Sequence, residues 1–314
     1  PARGGGTDRG PRFDADVARG GYVWWYVDAL SEDGRHGLTV IAFIGSVFSP
    51  YYVQNAKQDP FNHCAVNVVL YGADKRFTMT ERNARSLTRD ATSIAIGPSS
   101  LDWDGSVLTI RLDERGAPIP RALRGTVRVR PKAITAQPFT LDAHGLHRWW
   151  PMAPSCEVEA AFTAPDLTWR GSGYLDTNDG DGRLEDSFSD WTWCRATMKR
   201  GSAILYDVNR KDGSSQNLTL RFDADGSRRD IRPPLAADLP KTRFWKMPRP
   251  TRSDDGRASV VETFEDTPFY ARSLLASTLD GEAVRPVHES LSLGRFRNPA
   301  VQFMLPFRMP RRIG

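Results

Sequence analysis

The chain has 314 residues, of which 39% are hydrophobic and 10% aromatic, so it is long enough for one large or two ordinary globular domains with a buried core. Its net charge of +5 favours anionic surfaces, but the basic residues are dispersed and no nucleic-acid-binding motif is present, so no nucleic-acid partner is expected. The longest apolar run, residues 38–48, has the length of a strand and is too short for a transmembrane helix.

The first segment of the chain, residues 1–19, is rich in glycine and charged residues. It lacks the apolar centre of a signal peptide, so we predict a flexible N-terminal lead-in. Strand-forming residues begin directly after it.

The remainder of the chain is a succession of predicted hairpins. "GYVWWYVDAL" and "LTVIAFIGSVF" flank a short loop that contains Asp-Gly, which predicts two antiparallel strands. The same pattern of strand, Asp- or Gly-containing turn and strand recurs in residues 64–82, 99–119, 158–176 and 201–231. Helical periodicity is scarce. Strands at this spacing indicate an all-β sandwich or barrel rather than alternating strands and helices.

The acid-rich run "GYLDTNDGDGRLED", residues 173–186, poses a choice between a calcium loop, a solvated turn and a proton donor. An EF-hand needs oxygen ligands at its first, third and fifth positions, glycine at the sixth and glutamate at the twelfth. With Gly182 at the sixth position, the twelfth is Phe188, and with Gly180 there, the first is Leu175. The spacing therefore disfavours calcium.

The glycine and aspartate cluster at residues 177–183 separates two strand-rich halves. We predict a solvated turn there, with Asp179 and Asp181 as ordinary turn residues. The predicted domains are residues 20–183 and 184–314.

The three cysteines, Cys64, Cys156 and Cys194, are odd in number and far apart, which favours free thiols over a disulfide framework. They do not combine with the five histidines at zinc-ligand spacing, so no metal is expected.

Residues 231–256 are rich in proline and basic residues. A surface loop in the polyproline II conformation is the favoured interpretation. A membrane-touching element is the alternative, because aromatic and cationic side chains suit the headgroup layer. The residues that support it are Phe244, Trp245 and Met247 among Lys241, Arg243, Lys246 and Arg249.

Two short segments offer candidate catalytic side chains. If "HRWWP" is a strand, His147 and Trp149 share one face, and in "GYLD" the same holds for Tyr174 and Asp176. The two strands could converge on one pocket. Ordinary packing is the alternative, since aromatic residues in strands usually belong to the core.

Several of these blocks, including "GGYVWWYVDALSEDGRHG", "HCAVNVVLYG", "HRWWP" and "GYLDTNDGDGRLEDSFSDWTWCRA", closely resemble the carotenoid 1,2-hydratases, also called hydroxyneurosporene synthases, of photosynthetic bacteria. The resemblance runs from about Gly20 to the C-terminal region. It implies two lipocalin-like antiparallel β-barrels in tandem, as in attachment-locus-like proteins. A barrel of about eight strands can hold one apolar ligand, which suits a lipid substrate.

The resemblance also implies a reaction and its catalytic residues. Water is added to the terminal 1,2 double bond of an acyclic carotenoid such as lycopene or neurosporene, with no cofactor or metal. Asp176 corresponds to the proton donor, and burial must keep it neutral. The rings of Trp149 and Tyr174 are expected to face the cation, and His147 is expected to orient or deprotonate the water.

A substrate this insoluble implies that the enzyme meets it at a membrane. We therefore expect peripheral attachment, on the cytoplasmic side of the inner or intracytoplasmic membrane, through basic and aromatic loops. Two other functions stay open: a carotenoid- or lipid-binding carrier, and another polyene- or terpenoid-modifying enzyme of the same superfamily. The sequence does not specify an oligomeric state.

Overall fold

A computed structural model describes residues 5–54 and 57–313 of the chain. The protein is mostly β, with 55% of residues in strands and 9% in helices, which confirms the predicted class. Contacts divide the chain into two compact units. The first contains the described residues through Arg183 together with those from Phe303 onward, and the second is Leu184–Gln302. Among the described residues, no helix combines the length and hydropathy needed to span a membrane.

The strands follow one another closely along the chain. In chain order, those of the described residues are β1 Gly6–Thr7, β2 Gly10–Pro11, β3 Tyr22–Ser31, β4 Gly37–Ile44, β5 Cys64–Tyr71, β6 Arg76–Met79, β7 Glu81–Arg82, β8 Leu87–Arg89, β9 Ser93–Ile96, β10 Ser99–Trp103, β11 Leu108–Arg115, β12 Ala122–Pro131, β13 Phe139–Thr140, β14 His147–Ala164, β15 Asp166–Gly180, β16 Phe188–Thr197, β17 Ser202–Arg210, β18 Ser215–Phe222, β19 Arg228–Asp230, β20 Leu235–Leu239, β21 Arg249–Ser253, β22 Ser259–Asp266, β23 Tyr270–Leu279, β24 Glu282–Val284, β25 Val287–Ser292 and β26 Arg311–Arg312. The predicted hairpins are confirmed, because β3 pairs with β4, β5 with β6, β10 with β11, β14 with β15 and β17 with β18, all antiparallel.

The helices of the described residues are few and mostly a single turn long. They are α1 Pro50–Val53, α2 Leu184–Ser187, α3 Leu293–Phe296 and α4 Pro299–Arg308, with two short 3₁₀ turns at Pro60–Asn62 and Ala84–Ser86. The sequence analysis did not identify α4. Its internal Pro306 and its short length hide the apolar periodicity that marks a longer helix.

The main sheet of the first unit has the strand order β26-β7-β5-β4-β3-β15-β14-β12-β11-β10-β9-β8. All neighbours are antiparallel except β26 and β7. Buried apolar side chains from strands along the sheet form one core on one side of it. The sheet is therefore curled around side chains that fill its concave side.

Strand alternation separates this core from the other side of the sheet. Trp25 of β3, Trp150 of β14 and Leu175 of β15 belong to the core. Their sequence neighbours point to the opposite side, because successive side chains alternate across a strand. We call the side of β3, β14 and β15 that carries Tyr26, Trp149 and Asp176 the second face.

A buried ion pair links the two ends of the curled sheet. The guanidinium of Arg82 in β7 lies 2.7 Å from the carboxylate of Glu114 in β11, and both side chains are buried. A Cβ atom at Gly97 would lie 2.3 Å from Nε of Arg82, and Gly97 has φ +63°, so only glycine fits over this guanidinium. Ser99 donates a second hydrogen bond, of 2.8 Å, to Glu114.

The lead-in is packed where the structure describes it, from Gly5 onward; residues 1–4 of that prediction lie outside the described residues. The indole of Trp25 donates to the Gly5 carbonyl at 2.7 Å. Arg89 donates to the carbonyls of Phe13 and Ala15, and Phe13 is fully buried. Phe13 is one of the core side chains of the first unit, and composition alone did not reveal this anchoring.

The second unit is built on the order β19-β18-β17-β16-β25-β23-β22, with β24 beside β23 and a separate pair formed by β20 and β21. The polyproline II prediction for residues 231–256 was wrong over these last two strands. They form an antiparallel hairpin, in which Met247 is buried and Phe244 and Trp245 are exposed at the tip.

The three cysteines are free, as predicted, and all three are buried. Burial raises the pKa of Cys64 and Cys194 to about 12, so both thiols stay protonated and unreactive at neutral pH.

Candidate active site

The candidate catalytic residues lie on the two longest strands of the first unit. The predictions that "HRWWP" and "GYLD" are strands are confirmed, in β14 and β15. Residues 157–163 of β14 alternate between buried positions and positions that are at least partly exposed, whereas residues 174–180 of β15 are buried throughout. This stretch of β15 is therefore covered on both of its faces.

The carboxyl group of Asp176 is the centre of the site. Its Oδ2 accepts a hydrogen bond of 2.9 Å from Nε1 of Trp149 and one of 2.8 Å from the hydroxyl of Tyr174. Only 5% of Asp176 is exposed. Burial disfavours the carboxylate, while two donated hydrogen bonds favour it. The arrangement can thus hold a neutral acid and still stabilise the charge that forms when the proton leaves.

Tyr174 is a fixed hydrogen-bond donor. Burial, together with the negative charges of Asp176 and Asp28, holds the pKa of its hydroxyl well above the ordinary value. The hydroxyl therefore keeps its proton at any physiological pH and can donate to Asp176.

Aromatic rings surround this acid on the second face. Tyr26 of β3 lies directly opposite Asp176 in the strand register, and its ring meets that of Tyr174 edge-on with centroids 6.1 Å apart. The ring of Phe139 lies 5.6 Å from that of Trp149. Such rings attract a cation through their π faces.

His147 lies further along the same face. It pairs with Gly180, four residues beyond Asp176 on β15, which is about 13 Å along a strand. Its Nδ1 is 3.0 Å from the hydroxyl of Tyr22, and its backbone N–H donates to Asp142 at 2.7 Å. Hydrogen bonds thus join three of the four predicted residues directly, and His147 lies two positions from Trp149 on the same face of β14.

Asp28 of β3 is a buried carboxyl group that the sequence analysis missed. It is 1% exposed and lies directly opposite Tyr174 in the register of β3 and β15. On its other side it pairs with Thr39 of β4, whose hydroxyl is 3.1 Å from that of Tyr71. In the strand "YVWWYVDAL", alternate side chains share a face, so Asp28 lies on the same face as Tyr26. This alternation was the one feature of the sequence that could have identified Asp28 as a candidate.

The prediction of a solvated turn was wrong for Asp179. Strand β15 continues through Gly180, and Asp179 is a buried strand residue that is ion-paired with Arg148 of β14. The same guanidinium reaches Asp181 at 3.1 Å, so only residues 181–183 form the turn. In residues 5–54 and 57–313, no three His, Cys, Asp or Glu side chains are grouped as a metal site requires.

The sequence is similar to acyclic carotenoid 1,2-hydratases over almost its whole length. The family model described as "Carotenoid hydratase CrtC" matches residues 40–314. The acyclic carotenoid 1,2-hydratase of Thiocapsa roseopersicina is 53% identical, over 98% of this chain and 78% of the relative. That of Rubrivivax gelatinosus is 49% identical, over 96% of this chain and 76% of the relative.

Solved structures with a similar fold are more distant in sequence. An AttH-type protein from Nitrosomonas europaea superimposes with a TM-score of 0.58 at 15% identity, covering 88% of this chain and 92% of that one. Kievitone hydratase from Nectria haematococca superimposes with a TM-score of 0.57 at 10% sequence identity. The match covers 86% of this chain and 88% of that one. These similarities concern the fold alone, whereas the family match and the close relatives show that the chain belongs to the carotenoid hydratase CrtC family.

Proposed function

We propose that this protein is a cofactor-independent acyclic carotenoid 1,2-hydratase, which adds water to the terminal 1,2 double bond of carotenoids such as lycopene and neurosporene. Its relatives at 40–53% identity are acyclic carotenoid 1,2-hydratases. The observation that carries the mechanism is the buried carboxyl group of Asp176, held by two neutral donors among aromatic rings.

Asp176 is the proposed acid. Transfer of its proton to C2 of the substrate leaves a tertiary cation at C1 and a carboxylate on Asp176. Trp149 and Tyr174 already point their donors at Oδ2, so they stabilise this carboxylate without reorganising. Donors placed where charge develops lower the barrier because they bind the transition state more strongly than the ground state.

The cation at C1 must be stabilised until a water molecule attacks it. Besides Trp149 and Tyr174, the ring of Tyr26 lies beside the acid and is suited to this role. The assignment of water handling to His147 stays a prediction.

We also propose that the fold is two lipocalin-like antiparallel barrels in tandem, at residues 20–183 and 184–314 as the sequence predicts, except that the described residues from Phe303 onward belong to the first unit. The curled, fully packed sheet of the first unit and the likeness to AttH-type structures support this. The idea that the barrel interior receives the carotenoid does not fit the first unit, because Asp176 lies on the second face and apolar side chains fill the concave side.

A direct assay tests the function. We expect purified protein, given lycopene and neurosporene side by side without added cofactor, to yield products heavier by one water, with the hydroxyl group at C1 by mass spectrometry and NMR. A carotenoid that is bound and recovered unchanged would indicate a carrier instead. A product of unchanged mass but altered double bonds or rings would indicate another polyene-modifying enzyme.

We propose that the protein is peripheral at the cytoplasmic side of the inner or intracytoplasmic membrane and docks through the tip of the β20–β21 hairpin. Phe244 and Trp245 are 75% and 42% exposed there, between the exposed cations Arg243 and Lys246. Their backbone N–H groups donate to Asp266 at 2.7 and 3.2 Å, so the tip is held in an outward position. Aromatic side chains with neighbouring cations suit an anionic headgroup layer.

Co-sedimentation with vesicles tests this docking. We expect the protein to bind phosphatidylglycerol vesicles at about 0.01 M salt, to be released at about 1 M salt, and to lose binding in the variant Phe244→Ser/Trp245→Ser. The matched control is Val261→Ser, which removes an exposed apolar side chain next to the exposed acid Glu262. Equal binding of the hairpin variant and the wild type would contradict the proposal.

A further inference from the structure

We infer that Asp28 is the base that takes the proton from the attacking water, so that two buried carboxyl groups flank the reacting double bond. This inference rests on the proposed hydratase function and assigns its second half-reaction. It starts from a carboxyl group that is 99% buried on the face that carries Asp176.

The strand register makes Asp28 and Asp176 diagonal neighbours on adjacent strands. Asp28 lies directly opposite Tyr174, and Asp176 is two residues further along β15. Side chains in such a diagonal relation start about 7–8 Å apart. Inverting glycosidases, which place a water molecule and a substrate carbon between an acid and a base, separate their carboxyl groups by roughly 6.5–9.5 Å, and two aspartates that start as diagonal neighbours can span such a gap.

The electrostatics of the two buried carboxyl groups are compatible with one acting as the acid and the other as the base. Two carboxylates buried this close repel each other, and a single proton on one of them removes the repulsion. Asp176 receives two hydrogen bonds that stabilise it once it has given up a proton. The proposed reaction starts when that single proton is on Asp176, and the two donors then stabilise the carboxylate that forms as the proton leaves.

The steps balance in atoms and electrons. The O–H bond of Asp176 breaks while its proton forms a C–H bond at C2 with the π electrons, which leaves the cation at C1. A lone pair of water then forms the C–O bond at C1, and an O–H bond of that water breaks as its proton passes to Asp28. The net change is alkene plus water to tertiary alcohol, with the proton moved from Asp176 to Asp28.

Tyr174 provides the return path for that proton. Its hydroxyl donates to Asp176 at 2.8 Å, and its strand position faces Asp28. When it hands its proton to Asp176 and accepts one from Asp28, the starting state is restored. Because its pKa is held well above the ordinary value, Tyr174 acts as a neutral relay and does not retain a negative charge.

Deuterium labelling separates the two half-reactions. In D₂O, we expect the variant Asp28→Asn to form alcohol about 100-fold or more slowly than the wild type, which is the usual contribution of a general base. The cation should still form and revert, so recovered lycopene should carry deuterium at C2. The readout is the ratio of deuterium exchange to hydration, by mass spectrometry and NMR, with folding checked by thermal denaturation.

Asp179→Asn is the matched control, because it alters another buried carboxylate of β15, one that is ion-paired with Arg148. The ratio of deuterium exchange to hydration in this variant should equal that of the wild type. Retained hydration in Asp28→Asn would overturn the inference, and so would a parallel loss of exchange and hydration in a folded protein. If Asp28→Asn does not fold, Asp28→Ser is assayed in the same way. A wild-type enzyme that forms no alcohol would overturn the hydratase proposal itself.

Discussion

Replacement of Asp176 by asparagine is expected to reduce hydration of lycopene by at least about 1,000-fold, near the upper range for loss of a general acid. The amide has no acidic proton, so the cation at C1 cannot form. The amide oxygen can still accept from Trp149 and Tyr174, because the shape of the side chain is kept. The variant should therefore fold and still bind the carotenoid, as measured by steady-state turnover and by the absorption shift of the bound polyene.

The control for this variant is Asp186→Asn, the same chemical change at an exposed position of the same acidic run. It should leave turnover unchanged. Unlike Asp28→Asn, the Asp176 variant should show neither alcohol nor deuterium at C2. Sustained turnover in Asp176→Asn would remove this residue from the role of acid.

The second large effect concerns stability. Replacement of Arg82 by methionine is expected to lower the free energy of unfolding by about 3–5 kcal/mol, because it leaves the carboxylate of Glu114 buried without its countercharge. Burial already raises the pKa of Glu114 despite the attraction of Arg82, which shows how strongly the site disfavours a charge. Urea unfolding followed by tryptophan fluorescence provides the measurement.

The double variant Arg82→Met/Glu114→Leu should recover much of this loss, since removing both charges also removes the cost of burying them. Arg124→Met is the control for Arg82→Met, because it breaks an exposed ion pair instead of a buried one. Arg124 pairs with Asp113, the residue next to Glu114, at 2.7 Å, and both side chains are about half exposed, so we expect a change within about 1 kcal/mol. A loss below about 1 kcal/mol in Arg82→Met would contradict the assigned role of the pair.

Local sequence patterns were sufficient for the hairpins of this fold. Asp-Gly turns between alternating runs define neighbouring strands, and these signals involve residues close together in the chain. The end of β15 was misjudged because "NDGDG" has the composition of a turn. What extends the strand is the pairing of Asp179 with Arg148, about thirty residues away, and no local pattern encodes such a contact.

The site was predictable only in part, for the same reason. Alternation within each strand placed Trp149 and Asp176 correctly on one face of their strands. The pairing of β3 with β15 joins residues about 150 positions apart, so the proximity of Asp28 to Tyr174 could not be read from the sequence. The register of β14 against β15 could not be read from the sequence either. In this register His147 pairs with Gly180, which is four residues beyond Asp176 on β15.

The alternation along β15 has a practical consequence for protein engineering. Even-numbered positions from 174 to 178 carry the chemistry, and odd-numbered positions such as Leu175 carry the packing of the core. Replacements at Tyr174 or Asp176 are expected to remove turnover, whereas replacements at odd positions such as Leu175 are expected to lower thermal tolerance. A mutational library aimed at new substrate preferences should therefore leave this stretch of β15 unchanged and vary residues outside it.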